Sequence, residues 1–140
     1  MNLDIPSLID AAGGEIVGKV RLQKLVYLLS QLGIESQFAF SYHHFGPYSA
    51  ELADSVEDDI VFRRVSAEQR RRTDGVPFVI YKSLDENGDK RTKNVLNTPQ
   101  IRTAIATIQK QTATVLELAA TIHWLGARPD RHLGRAFVSR

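Results

Sequence analysis

The sequence contains no cysteine. That excludes disulfides, cysteine-ligated zinc, iron–sulfur clusters and a thiol nucleophile, and it fits an intracellular setting. It also lacks any apolar run near the roughly 18 residues that a membrane-spanning helix requires. The opening Met1-Asn-Leu-Asp-Ile-Pro6 has neither a basic stretch nor an apolar one. No export signal is therefore expected, and the protein is read as cytoplasmic and away from membranes. Catalytic signatures are missing too: there is no G-x-S-x-G, no P-loop, no G-x-G-x-x-G and no H-x-E with a cysteine pair. Repeats and low-complexity segments are absent. What remains is 140 residues, 43% hydrophobic and 24% charged, which is the composition of a folded chain and the length of about one domain.

Charge is unevenly spread. Residues 1–59 carry three basic residues (Lys19, Arg21, Lys24) against nine acidic ones, whereas residues 60–140 carry fifteen basic against seven acidic. Arg63, Arg64 and Arg70–Arg72 form the densest basic stretch, and Arg128, Arg131, Arg135 and Arg140 form a second. Such asymmetry permits nucleic-acid binding and equally head-to-tail self-association, while a charge run is most often a solvated face.

Hydrophobic spacing and breaker residues predict the elements. Pro6 suits the first turn of a short helix through Leu8, Ile9 and Ala12, which Gly13-Gly14 ends. Residues 20–32 form the strongest helix, with Leu22, Leu25, Val26, Leu29 and Leu32 at helical spacing and Gly33 as its stop. Tyr27 and Leu28 widen its apolar sector, as expected of a central helix contacted from several sides. Phe38 to Phe45 reads as a strand that places Phe38, Phe40, Tyr42 and His44 on one face. Gly46-Pro47 breaks it, and a helix with an acidic outer face follows from about Tyr48 to Asp59. Ser66-Ala-Glu-Gln69 fits a capping box, which predicts a short helix carrying the arginine run. Val76–Tyr81 and Lys90–Leu96, joined through Asn87-Gly88, are expected to form a basic hairpin wing. Thr98-Pro99 opens a helix that uses Ile101, Ile105 and Ile108. Thr114-Val-Leu-Glu117 opens a last helix, which carries Val115, Leu118, Ala119, Ile122 and Leu125 and stops at Gly126. The expected fold is mainly α (α+β): one helical domain over residues 1–126 with a short aromatic strand and a β-hairpin, winged-helix-like in outline. Residues 127–140 are expected to be a basic tail.

Three stretches in combination carry a family resemblance. They are Arg21-Leu-Gln-Lys-Leu-Val-Tyr-Leu-Leu29, Tyr42-His-His-Phe-Gly-Pro-Tyr-Ser49 and Leu116-Glu-Leu-Ala-Ala-Thr-Ile-His123. Together they resemble the YwgA-like group of uncharacterised prokaryotic proteins. Through the Leu22-Gln-Lys-Leu25 helix and the aromatic-x-x-x-Gly-Pro turn the chain is also similar, more distantly, to the Panacea antitoxin domains. Tyr48 stands where that pattern usually has a valine. The second resemblance implies a prophage- or toxin–antitoxin-associated module that neutralises a toxin by protein–protein contact.

The Gly46-Pro47 turn is the first candidate site, although a strand-to-helix connection with no ligand is the plainer reading. Lys24 is expected at the edge of the apolar sector, with its stem packed and its amine free to anchor an acidic group near the turn. Tyr42, His44 and Tyr48 would form an aromatic rim of the kind found at protein hot spots. The expected partner-binding set is thus Lys24, Tyr42, His44, Gly46, Pro47 and Tyr48. It would engage a protein partner such as a toxin, and a homodimer is compatible with it. The second candidate is nucleic acid. Arg70, Arg71 and Arg72 would neutralise phosphates together with Lys90, Arg91 and Lys93 on the wing. No basic recognition helix is evident, so such contacts would be to the backbone. No metal or other cofactor is expected: His43 and His44 point to opposite faces of a strand, and His123 and His132 would have to converge on one of them with Glu51 or Asp54. Ser49, His44 and Asp54 can be drawn as a triad, but three common residue types prove nothing. The expected function is a non-enzymatic interaction module that docks or masks a protein.

Overall fold

Burial of one wide helix organises the fold. In the computed structural model, which describes residues 2–44 and 46–127, helix α2 (Lys19–Gln31) lies at the centre. Its Leu22, Leu25, Val26 and Leu29 are each no more than 3% exposed. Helix α1 (Ile5–Ala11) and strand β1 (Glu15–Val17) precede it, and strands β2 (Ser41–His43) and β3 (Gly46–Tyr48) follow. Then come α3 (Ala50–Val61), β4 (Val65–Arg71), β5 (Pro77–Ser83), α4 (Lys90–Leu96), α5 (Pro99–Gln109) and α6 (Ala113–Ala127). This is an α+β fold. Strand β1, strand β3, α5 and α6 all pack against α2, which is the many-sided burial its broad stripe predicts. The helix stops as expected at Gly33, which takes φ +99°. Ile34 N–H donates to Leu29 C=O at 3.0 Å and Gly33 N–H to Ser30 C=O at 3.2 Å, the paired bonds of a Schellman end.

The larger sheet has the antiparallel order β1-β5-β4, with Ile16 of β1 opposite Tyr81 and Val65 of β4 opposite Ser83. The smaller sheet is a ribbon of β2 and β3 that pairs Tyr42 with Pro47 and His43 with Gly46.

Several local expectations are overturned by tertiary pairing. Residues 66–69 are strand, not helix. No apolar helical stripe follows the capping-box pattern, while β4 pairs along its whole length with the β-branched Val79-Ile80 strand and buries Val65. Residues 90–96 are helix, not a return strand. Asp85 Oδ1 accepts from Asn87 N–H and Gly88 N–H, so that turn leads into a helix instead of closing a hairpin. Asp89 then caps α4 by accepting from Thr92 N–H at 3.0 Å, and Thr92 and Leu96, four apart, go into the interior. The hairpin is made one strand earlier, by β4 and β5.

The aromatic strand is shorter than expected, because Phe38 and Phe40 pack into the core outside any strand. Phe45 lies outside the described residues. Gly46-Pro47 does not break the sheet but belongs to β3. The next helix starts two residues later than expected, after Ser49, whose hydroxyl accepts from Leu52 N–H. Helix α6 is capped by Thr112, which accepts from Val115 N–H at 3.2 Å, and it continues through Gly126. The expected basic tail falls at residues 128–140, outside the described residues, apart from Ala127.

Candidate functional site

The polar residues of the α2 motif each hold another part of the chain. Arg21 donates from its guanidinium to the carbonyls of Ile108, Gln109 and Gln111, at the C-terminal end of α5 and just beyond it. A cation there also suits the negative end of the helix dipole. Gln23 is 6% exposed, and its amide makes a reciprocal pair with the Ser49 backbone. Its Nε2 donates to Ser49 C=O, and Ser49 N–H donates to its Oε1, both at 2.9 Å. Lys24 Nζ donates to Pro47 C=O at 2.7 Å. Tyr27, 1% exposed, brings its hydroxyl to 3.1 Å from His123 Nδ1 on α6.

The expectation for Lys24 is therefore corrected. The residue is only 2% exposed, so its amine holds the turn from within instead of waiting for an acidic partner. Burial lowers its pKa below the ordinary lysine range, and the carboxylate of Glu117 on α6 opposes that shift. Gly46 and Pro47 are likewise buried. Gly46 sits at φ +99° against α6, where an added Cβ would lie 2.5 Å from Thr121 Oγ1. Tyr48 is half-buried, with its ring 4.9 Å from that of His43. Of the expected binding set only Tyr42 and His44 are exposed, because β3 turns its own residues inward against α2 and α6.

The alternative basic set is also rearranged. Arg70 and Arg71 end β4, Arg72 follows in the turn, and Lys90, Arg91 and Lys93 lie on α4. Arg70 pairs with Glu68 and Arg72 with Asp74, while Arg71 donates to Gly75 C=O. One hairpin therefore does not gather the six residues. Of the residues weighed as metal ligands, Glu51 accepts from Ala39 N–H and His123 meets Tyr27. His132 lies outside the described residues. Among the described residues no group of three or more histidines and carboxylates is placed to hold a metal ion.

A groove of about 650 Å³ opens beside the starts of α1 and α4. Its carboxylates are engaged by the fold. Asp4 caps α1 through Ser7 N–H, Asp89 caps α4, and Asp59 pairs with Arg64. Burial raises the Asp59 pKa, with the guanidinium of Arg64 working against the rise.

A surface that the sequence reading did not single out is on α6. Its inward side is Leu116, Ala120 and Trp124, each 2% exposed or less. The apolar residues expected to mark this helix face out: Val115, Leu118, Ile122 and Leu125 are 45%, 60%, 60% and 47% exposed, and Ala119 is exposed too. Tyr42, 51% exposed, lies against Trp124 with ring centroids 6.4 Å apart. The signal was in the sequence: α6 carries two apolar stripes, and one domain surface can cover only one of them.

Fold and site together describe an α+β domain in which a strapped β-turn supports an outward-facing apolar helix. The chain is similar to Uncharacterized protein YwgA of Bacillus subtilis (strain 168), with 28% identity over 120 residues, or 84% of this chain and 70% of that protein. This supports the YwgA-like resemblance. No family model matches, and no solved structure matches. No helix among the described residues is long and apolar enough to cross a membrane.

Proposed function

We propose that this protein is a non-enzymatic interaction module that docks a protein through the outer face of α6, with the exposed Tyr42 beside that helix on Trp124. The observation that carries this reading is the row of four exposed apolar side chains on one side of a helix whose other side is fully packed. A contiguous exposed apolar patch on a small domain marks an interaction site. An exposed tyrosine beside a buried tryptophan suits an anchoring contact. Toxin neutralisation by contact, which the motif resemblance to Panacea domains implies, would be one form of such docking. The strapped turn of β3 then serves as the rigid support of α6, and Lys24 acts from inside.

The test is recovery of the tagged chain from its native host at low and high salt, beside a Leu118→Asp/Ile122→Asp variant. An apolar contact withstands salt. A defined protein held at high salt by the native chain and lost by a variant of unchanged circular dichroism supports the reading. Nucleic acid held only at low salt would give the Arg70–Arg72 hairpin first place instead.

A further inference from the structure

We infer that the occupant of the α6 face is a second copy of this chain, paired helix to helix. This rests on the reading of α6 as the docking surface and names its partner. The exposed residues follow strict heptad spacing: Val115 and Ile122 take one seam position, and Leu118 and Leu125 take the other. β-branched residues at the first position with leucine at the second are the combination that favours two parallel strands. The inward side, Leu116, Ala120 and Trp124, falls on the back of that heptad, so docking onto the domain leaves the seam open.

The flanks of the seam are compatible with an identical helix. Paired helices choose unlike partners through charges at the positions flanking the seam. Here the flanks are Thr114, Ala119, Thr121 and Gly126, all small and uncharged. An identical helix meets no like-charge repulsion there, and a charged partner finds no complement. A helix apolar on both sides is, moreover, the pattern of one covered on both sides. Four half-exposed side chains cover less than the roughly 800 Å² per partner of a standard interface, so the pair forms and separates with concentration.

The experiment is sedimentation of the purified chain over a wide concentration range, with disulfide trapping. Because the chain has no cysteine, a single Leu118→Cys substitution places one thiol on the seam, and Val61→Cys, at a 72% exposed site on α3, is the control. The expected result is a mass that rises with concentration from 15.7 kDa toward twice that value, together with oxidation of Leu118→Cys to a covalent dimer much faster than Val61→Cys. Leu118→Asp should hold the mass at one chain. A single-chain mass throughout, or equal trapping at both sites, would overturn the second-copy assignment. If the Leu118→Asp/Ile122→Asp variant then loses a different protein in the recovery experiment, the docking reading stands with another partner. If it loses nothing, both readings fall.

Discussion

Gln23 and Ser49 are joined by two reciprocal hydrogen bonds of 2.9 Å each, so one side chain satisfies both backbone groups of a residue that is wholly buried. With Lys24 on Pro47 C=O, this explains why the Leu-Gln-Lys-Leu helix and the Gly-Pro turn occur together. They are two halves of one strap, and neither polar residue of the helix is satisfied without the turn. Gln23→Ala leaves the Ser49 N–H without its partner in the interior, while the Ser49 C=O keeps the Ala53 N–H at 3.2 Å. With one orphaned group, denaturant titration should show a loss of about 1–3 kcal/mol. Gln23→Glu keeps the acceptor but sets a carboxylate against a carbonyl. Its loss should be at least as large at neutral pH and should shrink in acid, where protonation restores a donor.

Gly46 tests the contact between β3 and α6. Gly46→Ala meets two obstacles, a φ of +99° and an overlap with Thr121 Oγ1. Left-handed strain costs about 1–3 kcal/mol, and the overlap adds to it. Adding Thr121→Ala removes the overlap but not the strain. The double variant should therefore recover part of the lost stability in a thermal melt, and full recovery would show that the backbone tolerates the angle.

Lys24 predicts a pH dependence. Burial lowers its folded pKa below the unfolded value of 10.5. Between the two values the unfolded chain binds more protons, so this group's contribution to stability increases as pH rises through the lowered value and levels off above the ordinary lysine range. The stability difference between the native chain and Lys24→Met, followed from neutral to alkaline pH, should move in favour of the native chain. Taking the difference between the two proteins removes the tyrosine titrations they share. A flat difference would mean that the ammonium is not desolvated.

What was legible in the sequence was local. The α2 stripe with its Gly33 stop and the Thr98-Pro99 start of α5 depend on residues a few positions apart, and both stand as expected. Elements decided by distant partners were not legible. β4 is a strand because β5 lies beside it, and α4 is a helix because Thr92 and Leu96 find an interior. Lys24 shows the same limit at the site. The residue and the turn were picked out together, but whether the amine faces solvent or a carbonyl depends on Pro47, 23 residues away in sequence.

The two sides of α6 should separate cleanly by mutation. Trp124, 1% exposed, packs beside Tyr27 and Tyr42, so Trp124→Ala should cost about 3–5 kcal/mol in dilute solution. Leu118 is 60% exposed, and Leu118→Ala in the same dilute solution should change stability by no more than about 0.5 kcal/mol. Raising the protein concentration distinguishes them further. Association stabilises the folded chain by mass action, so the native melting temperature should climb with concentration. Leu118→Ala should flatten that climb while its dilute melt stays native. Trp124→Ala should lower the melt at every concentration, because it removes the support on which the outer face is built.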